Sequence, residues 1–126
     1  MINNNSIFYL NTIAQAIFDK KGFNILALDV RGVSTLTDYV LIAEGNVDKH
    51  VKTIAGSIIA SMEALGQAPS YVEGTKSGDW VVIDFLHIMV HLFMPGLRDK
   101  YQLEQLYREG EIVDLQIDVH PKVQTS

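Results

Sequence analysis

Residues 78–93 read GDWVVIDFLHIMVHLF, and whether this stretch is one helix or two strands decides the fold. As a helix it would place His87 and His91 four residues apart on one face, a spacing that suits zinc. The density of Val, Ile, Phe and Trp favours strands instead. A single strand over the whole stretch would be unusually long, since strands run about 3 to 10 residues. A hairpin folded near Phe85 to Ile88 gives two strands of ordinary length, WVVIDF and IMVHLF. The pair Leu86-His87 at the fold point lacks the usual Asn-Gly or Asp-Gly turn signal. With both histidines on one face of a regular strand they lie roughly 13 Å apart, too far for one metal ion to bridge.

The flanking sequence supplies helices to cover such a hairpin. From Ile7, the residues Leu10, Ile13, Ala14, Ile17 and Phe18 recur at helical spacing, with Asn5 or Ser6 as N-cap and Gly22 as a stop. The runs ILALDV (25–30) and YVLIA (39–43) are short, branched and apolar, and read as buried strands. Val51, Ile54, Ala55, Ile58, Ile59, Met62 and Leu65 form the clearest helical stripe, with Asn46 or Asp48 as cap and Gly66 at its end. Burial of each large aliphatic side chain contributes about 1.5 to 3 kcal/mol. Ordering each backbone residue costs about 1 to 2 kcal/mol, so the stripe needs a sheet to pack on. PSYVEG (69–74) reads as a further short strand, and LRDKYQLEQLYREG (97–110) as a loosely periodic helix. The predicted fold class is α/β: a mixed sheet of about five strands with helices packed on it.

The predicted domain covers residues 1–110, and residues 111–126 form a C-terminal extension. Within it VDLQIDVH (113–120) alternates strictly, which predicts an edge strand or a segment that pairs with another molecule. Order is expected to end at Pro121.

A chain of 126 residues with 48% hydrophobic and 20% charged residues has an ordinary globular balance. The net charge is −5, so the chain lacks the basic footprint of nucleic-acid binders and better suits a basic protein partner. Cysteine is absent, which removes disulfides, thiolate metal sites and a cysteine nucleophile. The cytoplasm is the expected location. The first residues lack the features of a secretory signal or a transit peptide and read as mature protein. No apolar run approaches the roughly 20 residues that span a bilayer, so no membrane role is expected.

Candidate chemistry is thin. Asp29, Asp38 and Asp84 would be the carboxylates of a magnesium-dependent nucleotidyltransferase. No GxxxxGK[ST] or GxGxxG accompanies them, and structural roles for these acids are the expectation. His50, His87 and His91 lack a ligand set, and Ser34, Ser57 and Ser61 lack a GxSxG context. No metal or cofactor is expected. Trp80 reads either as core or as an exposed interface anchor, and Phe85, Leu92, Phe93 and Met94 around it share that ambiguity.

Several pieces in unbroken order carry a resemblance: DVRGVSTLTDY (29–39), IAEGN (42–46), HVKTIA (50–55), EG (73–74), GDWVVID (78–84), VHLF (90–93) and RDKYQLEQLY (98–107). Over about residues 5–107 the chain resembles the ribosomal silencing factor family, RsfS, also called Iojap. The resemblance implies a sheet related to nucleotidyltransferases without their catalytic apparatus. It also implies a non-enzymatic translation regulator that binds the large ribosomal subunit through ribosomal protein L fourteen and sterically keeps the small subunit from joining. The family includes homodimers. The surface it uses implies Trp80, Phe85 and Leu92 as apolar anchors, with Asp84 and Glu104 as polar contacts. Leu86-His87 departs from the family's Gly-Asp at the hairpin fold.

Overall fold

The computed structural model describes residues 4–119. Its first helix, α1 (Asn4–Asp19), is followed by strands β1 (Phe23–Asp29) and β2 (Tyr39–Glu44), then by helix α2 (Asp48–Glu63). Strands β3 (Tyr71–Glu73), β4 (Trp80–Asp84) and β5 (Ile88–Phe93) come next, then two short helices, α3 (Leu97–Tyr101) and α4 (Leu103–Leu106), and a last strand β6 (Glu111–Ile112). The six strands form one sheet in the order β3-β4-β5-β2-β1-β6, one strand more than expected. Every neighbouring pair is antiparallel except β2 and β5. All six residues of β2 are buried, as its central place requires.

Helices α1 and α2 cover one face of the sheet. Leu10, Ile13 and Ile17 of α1 and Val51, Ile54 and Ile58 of α2 are wholly buried, in one core with Leu41, Ala43, Val81, Ile83, Val90 and Leu92. The periodicity was therefore a sound guide to both helices, although Ile7 and Phe18 stay partly exposed. The cap of α2 differs from expectation. Val47 occupies the N-cap without a side-chain bond, and His50 Nδ1 accepts the Asn46 N–H at 2.8 Å instead. His50 Nε2 lies 2.7 Å from the Lys20 carbonyl, tying the end of α1 to the start of α2. Neither helix, nor any other among the described residues, is long and apolar enough to cross a membrane.

The opposite face carries a smaller core of Leu28, Val30, Val40, Ile42, Phe93, Leu103 and Tyr107. Burial raises the Tyr107 hydroxyl pKa above its ordinary value. The expected single helix over 97–110 is broken at Gln102, where φ is +50 and the chain turns between α3 and α4. The two pieces can then each lay one buried residue, Arg98 and Leu103, on the sheet.

The tail does not continue as a strand beyond Ile112. The Val113 N–H still donates to the Ala27 carbonyl of β1 at 2.8 Å. Val113, Leu115 and Ile117 pack on the helix-side core, so beyond Val113 the alternation separates a packed side from an exposed one outside any strand. The Gln116 N–H donates to Asn11 Oδ1 and the Asp118 N–H to Gln15 Oε1, bonds that bind this segment along α1. His120 and the expected end of order at Pro121 lie outside the described residues.

The hairpin between β4 and β5 forms as expected, without the usual turn residues. The His87 N–H donates to the Phe85 carbonyl at 3.0 Å, and Leu86 between them has φ +77. A three-residue γ-turn with positive φ at its centre is strained for an L-residue. The Leu86 side chain is 63% exposed, so it gains little packing in return. Leu86→Gly should therefore raise stability by about 1 kcal/mol, read as an increase in Tm. A lower Tm would show that the leucine side chain outweighs the strain.

Candidate protein-binding face

Alternation along β4 places Trp80, Val82 and Asp84 on the face opposite α1 and α2. Across the ladders they meet Phe93, His91 and Met89 of β5, while Val82 meets Glu73 and Asp84 meets Tyr71 of β3. The short helices α3 and α4 pack over β5, β2 and β1 through Leu97, Leu103 and Tyr107. The β3–β4 end is left open, with Tyr71 57% exposed and Val82, Asp84 and Met89 partly so. Trp80 stands at the border. Its ring centroid lies 4.9 Å from Phe93 and 4.8 Å from Tyr101, so it is braced on both neighbours.

Beside Trp80 a cavity of about 380 Å³ is lined by Glu73, Gly74, Asp79, Val82, Leu97 and Tyr101 as well. Gly74 makes this corner possible. Its φ is +90, and a Cβ there would fall 2.0 Å from the Trp80 carbonyl oxygen. The Ser77 hydroxyl donates to Asp79 Oδ1, and this bond lowers the Asp79 pKa below the usual carboxylate range.

His91 is buried behind Trp80, whose Nε1–H donates to His91 Nδ1 at 3.2 Å. An indole N–H can only donate, so the neutral imidazole carries its proton on Nε2. That atom is buried and has no hydrogen-bond partner among the described residues. Burial lowers the His91 pKa to about 4. In the unfolded chain the same group takes up a proton below its ordinary value of about 6.5. The contribution of neutral His91 is thus fully present above pH 6.5 and is lost as pH falls from 6.5 toward 4. Between pH 7 and pH 5 the loss should be about 2 kcal/mol, and His91→Gln should flatten this part of the profile when Tm is measured against pH. An unchanged acid slope in the variant would assign the loss to other groups.

Arg98 is the hub that holds α3 and α4 against the sheet. Its side chain, only 10% exposed, lies 3.1 Å from Glu44 Oε2 and 3.1 Å from Glu104 Oε2. It also donates through Nε to Glu104 Oε1 and through Nη1 to the Asn24 carbonyl. Asn24 presents that carbonyl because β1 changes register between Phe23 and Leu26, and φ at Asn24 is +53. Its Nδ2 donates to Glu44 Oε2 at 3.1 Å. No local motif announces this cluster, since it joins residues 54 and 74 positions apart.

The residues expected to form the site separate into two groups. Trp80 and Asp84 share the open face, and Asp84 Oδ1 also accepts the Leu86 N–H at 2.8 Å. Glu104 is clamped by Arg98 and holds α4 in place. Phe85 and Leu92, expected as anchors beside Trp80, are corrected by the structure. They are 8% and 0% exposed in the helix-side core, because period two points them away from Trp80. His87 is not on β5 but in the exposed turn, where Nδ1 lies 3.3 Å from Asp38 Oδ2.

The three aspartates weighed for catalysis are each engaged locally. Asp29 receives Arg31 through two side-chain hydrogen bonds of 2.9 and 2.6 Å, which lower its pKa. The same guanidinium lies 5.3 Å from the Tyr39 ring centroid, and burial raises the Tyr39 pKa. Asp38 faces His87 and Asp84 braces the turn. Among the described residues, no group of three or more His, Cys, Asp or Glu side chains is placed to hold a metal ion.

Comparison with known proteins identifies the family. A family model described as ribosomal silencing factor during starvation matches residues 3–126, the tail included. The ribosomal silencing factor RsfS of Bacillus subtilis is 38% identical over 106 residues, covering 84% of this chain and 90% of that protein. A mouse protein named for mitochondrial assembly of the ribosomal large subunit is 25% identical over 103 residues, 79% of this chain and 45% of its own length. A crystal structure of a Chromobacterium violaceum protein superposes with a TM-score of 0.79 at 27% identity, covering 93% of this chain and 95% of that one. The chain belongs to the ribosomal silencing factor family, RsfS.

Proposed function

We propose that this protein binds the large ribosomal subunit, through ribosomal protein L fourteen, and sterically keeps the small subunit from joining. The observation that carries the reading is the open β3–β4 face centred on Trp80 in a chain of net charge −5, within a family named for silencing ribosomes. Charge brings an acidic face to a basic ribosomal protein, and buried aromatic and aliphatic contacts slow its departure. Trp80, Val82 and Asp84, with Tyr71 and Met89 beside them, form the contact surface. Glu104 supports it from the side by pairing with Arg98 of α3. Phe85 and Leu92 contribute by packing the sheet against α1 and α2.

Sedimentation with purified subunits tests the proposal. The protein should travel with the large subunit and lower the fraction of joined ribosomes when both subunits are mixed. Travel with the small subunit alone, or unchanged joining at saturation, would overturn it.

A further inference from the structure

The cavity between β4 and α3 has a composition that the aromatic face alone does not explain. Trp80, Val82, Leu97 and Tyr101 form apolar walls, and Glu73 and Asp79 stand at the same opening. Both carboxylates are exposed, and among the described residues neither takes part in an ion pair. Lys100, 5.7 Å from the Tyr101 ring centroid, is ion-paired with neither among the described residues. The corner is also held in shape. Gly74 admits the Trp80 backbone, Ser77 fixes the Asp79 carboxylate, and the Met94 N–H donates to the Asp79 carbonyl at 3.0 Å.

A long cationic side chain matches such a site, with its stem on apolar walls and its charged head at the carboxylates. Arginine fits better than lysine: its planar fork can engage two carboxylates at once, and it is more weakly hydrated, so an apolar-walled cavity costs it less. We infer that this cavity takes an arginine side chain presented by the protein partner, its guanidinium between Glu73 and Asp79 and its stem on Trp80, Val82 and Leu97. The inference deepens the reading of this face as the ribosome-binding surface and rests on it for the source of the arginine.

Two measurements on the full chain test it. In an NMR titration with N-acetyl-arginine methylamide, saturable shifts should concentrate on the Trp80 indole N–H and the Gly74 and Asp79 amides. The citrulline analogue, equal in shape but neutral, should leave these signals in place. Equal shifts with citrulline, stronger binding of the lysine amide, or shifts spread over every acidic patch would overturn the assignment. In the second measurement, the Glu73→Gln, Asp79→Asn double variant should bind large subunits at least tenfold more weakly, with an unchanged Tm and a shallower salt dependence. Unchanged affinity would also overturn it. If the wild-type chain failed to bind large subunits while arginine amide still occupied the cavity, the ribosomal reading would fall and the arginine site would stand.

Discussion

Arg98→Ala should lower the free energy of unfolding by about 3 to 5 kcal/mol, the range for stripping one partner from a buried ion pair. The loss is large because three groups depend on one guanidinium. Glu44, 11% exposed at its side chain, would keep its charge in the sheet with Asn24 Nδ2 as its one remaining side-chain donor among the described residues. The Asn24 carbonyl would lose its Arg98 donor, and Glu104 would no longer bind α4 to the sheet. A domain of this size is stable by about 5 to 15 kcal/mol in all, so the variant would give up a large share of its stability. Denaturant unfolding at neutral pH checks the prediction. Pairing Arg98→Met with Glu44→Gln should recover much of the loss, since an apolar and a neutral residue leave no buried charge exposed to each other. A single variant costing under about 1 kcal/mol would show that water reaches the cluster freely.

Trp80→Ala should cost about 3 kcal/mol, at the low end of the range for removing a large aromatic, because the ring is only partly buried. The indole fills the space between Phe93 and Tyr101 and supplies the hydrogen bond that His91 Nδ1 accepts. Its removal should also weaken large-subunit binding by roughly 30-fold or more, the mark of a central interface residue. The two effects can be separated. Trp80→Phe keeps a ring against Phe93 and should recover most of the stability, whereas the extent to which it recovers binding reports how far the indole itself meets the partner. Binding unchanged in a folded Trp80→Ala protein would move the contact surface away from this face.

The elements follow from period and length. Leu10, Ile13 and Ile17 mark α1, the stripe from Val51 to Met62 marks α2, and the excess length of 78–93 forces a fold near Leu86. The candidate face is legible in part. Trp80 and Asp84 share one side of β4, because residues four apart in a strand lie on one face, whereas their grouping with Phe85 and Leu92 came from the resemblance. The same rule already sets Phe85 on the other side. Leu92 needed the register as well, since it lies opposite Val81, and register depends on where the turn falls. Arg98 was beyond local reading. Its partners come from β1, β2 and α4, and what brings them within 3.3 Å is the whole fold. The tail shows a different limit: alternation in 113–119 reports which residues are packed, and either a strand ladder or a segment strapped along a helix satisfies it.

The one parallel pair in the sheet governs the order in which this protein can be made. Strand β2 ends at Glu44 and pairs along its full length with β5, which begins at Ile88, so the centre of the sheet stays unzipped until the second half of the chain has been synthesised. Until then α1, α2, β1 and β2 present apolar surface without its cover, and contacts this distant in sequence form slowly. The nascent chain therefore passes through a sticky half-built stage, during which chaperone capture or aggregation competes with closure. Arg98 follows β5 by only five positions, and its arrival latches β1 and β2 just after β5 has closed on them, leaving only β6 to be added at the edge.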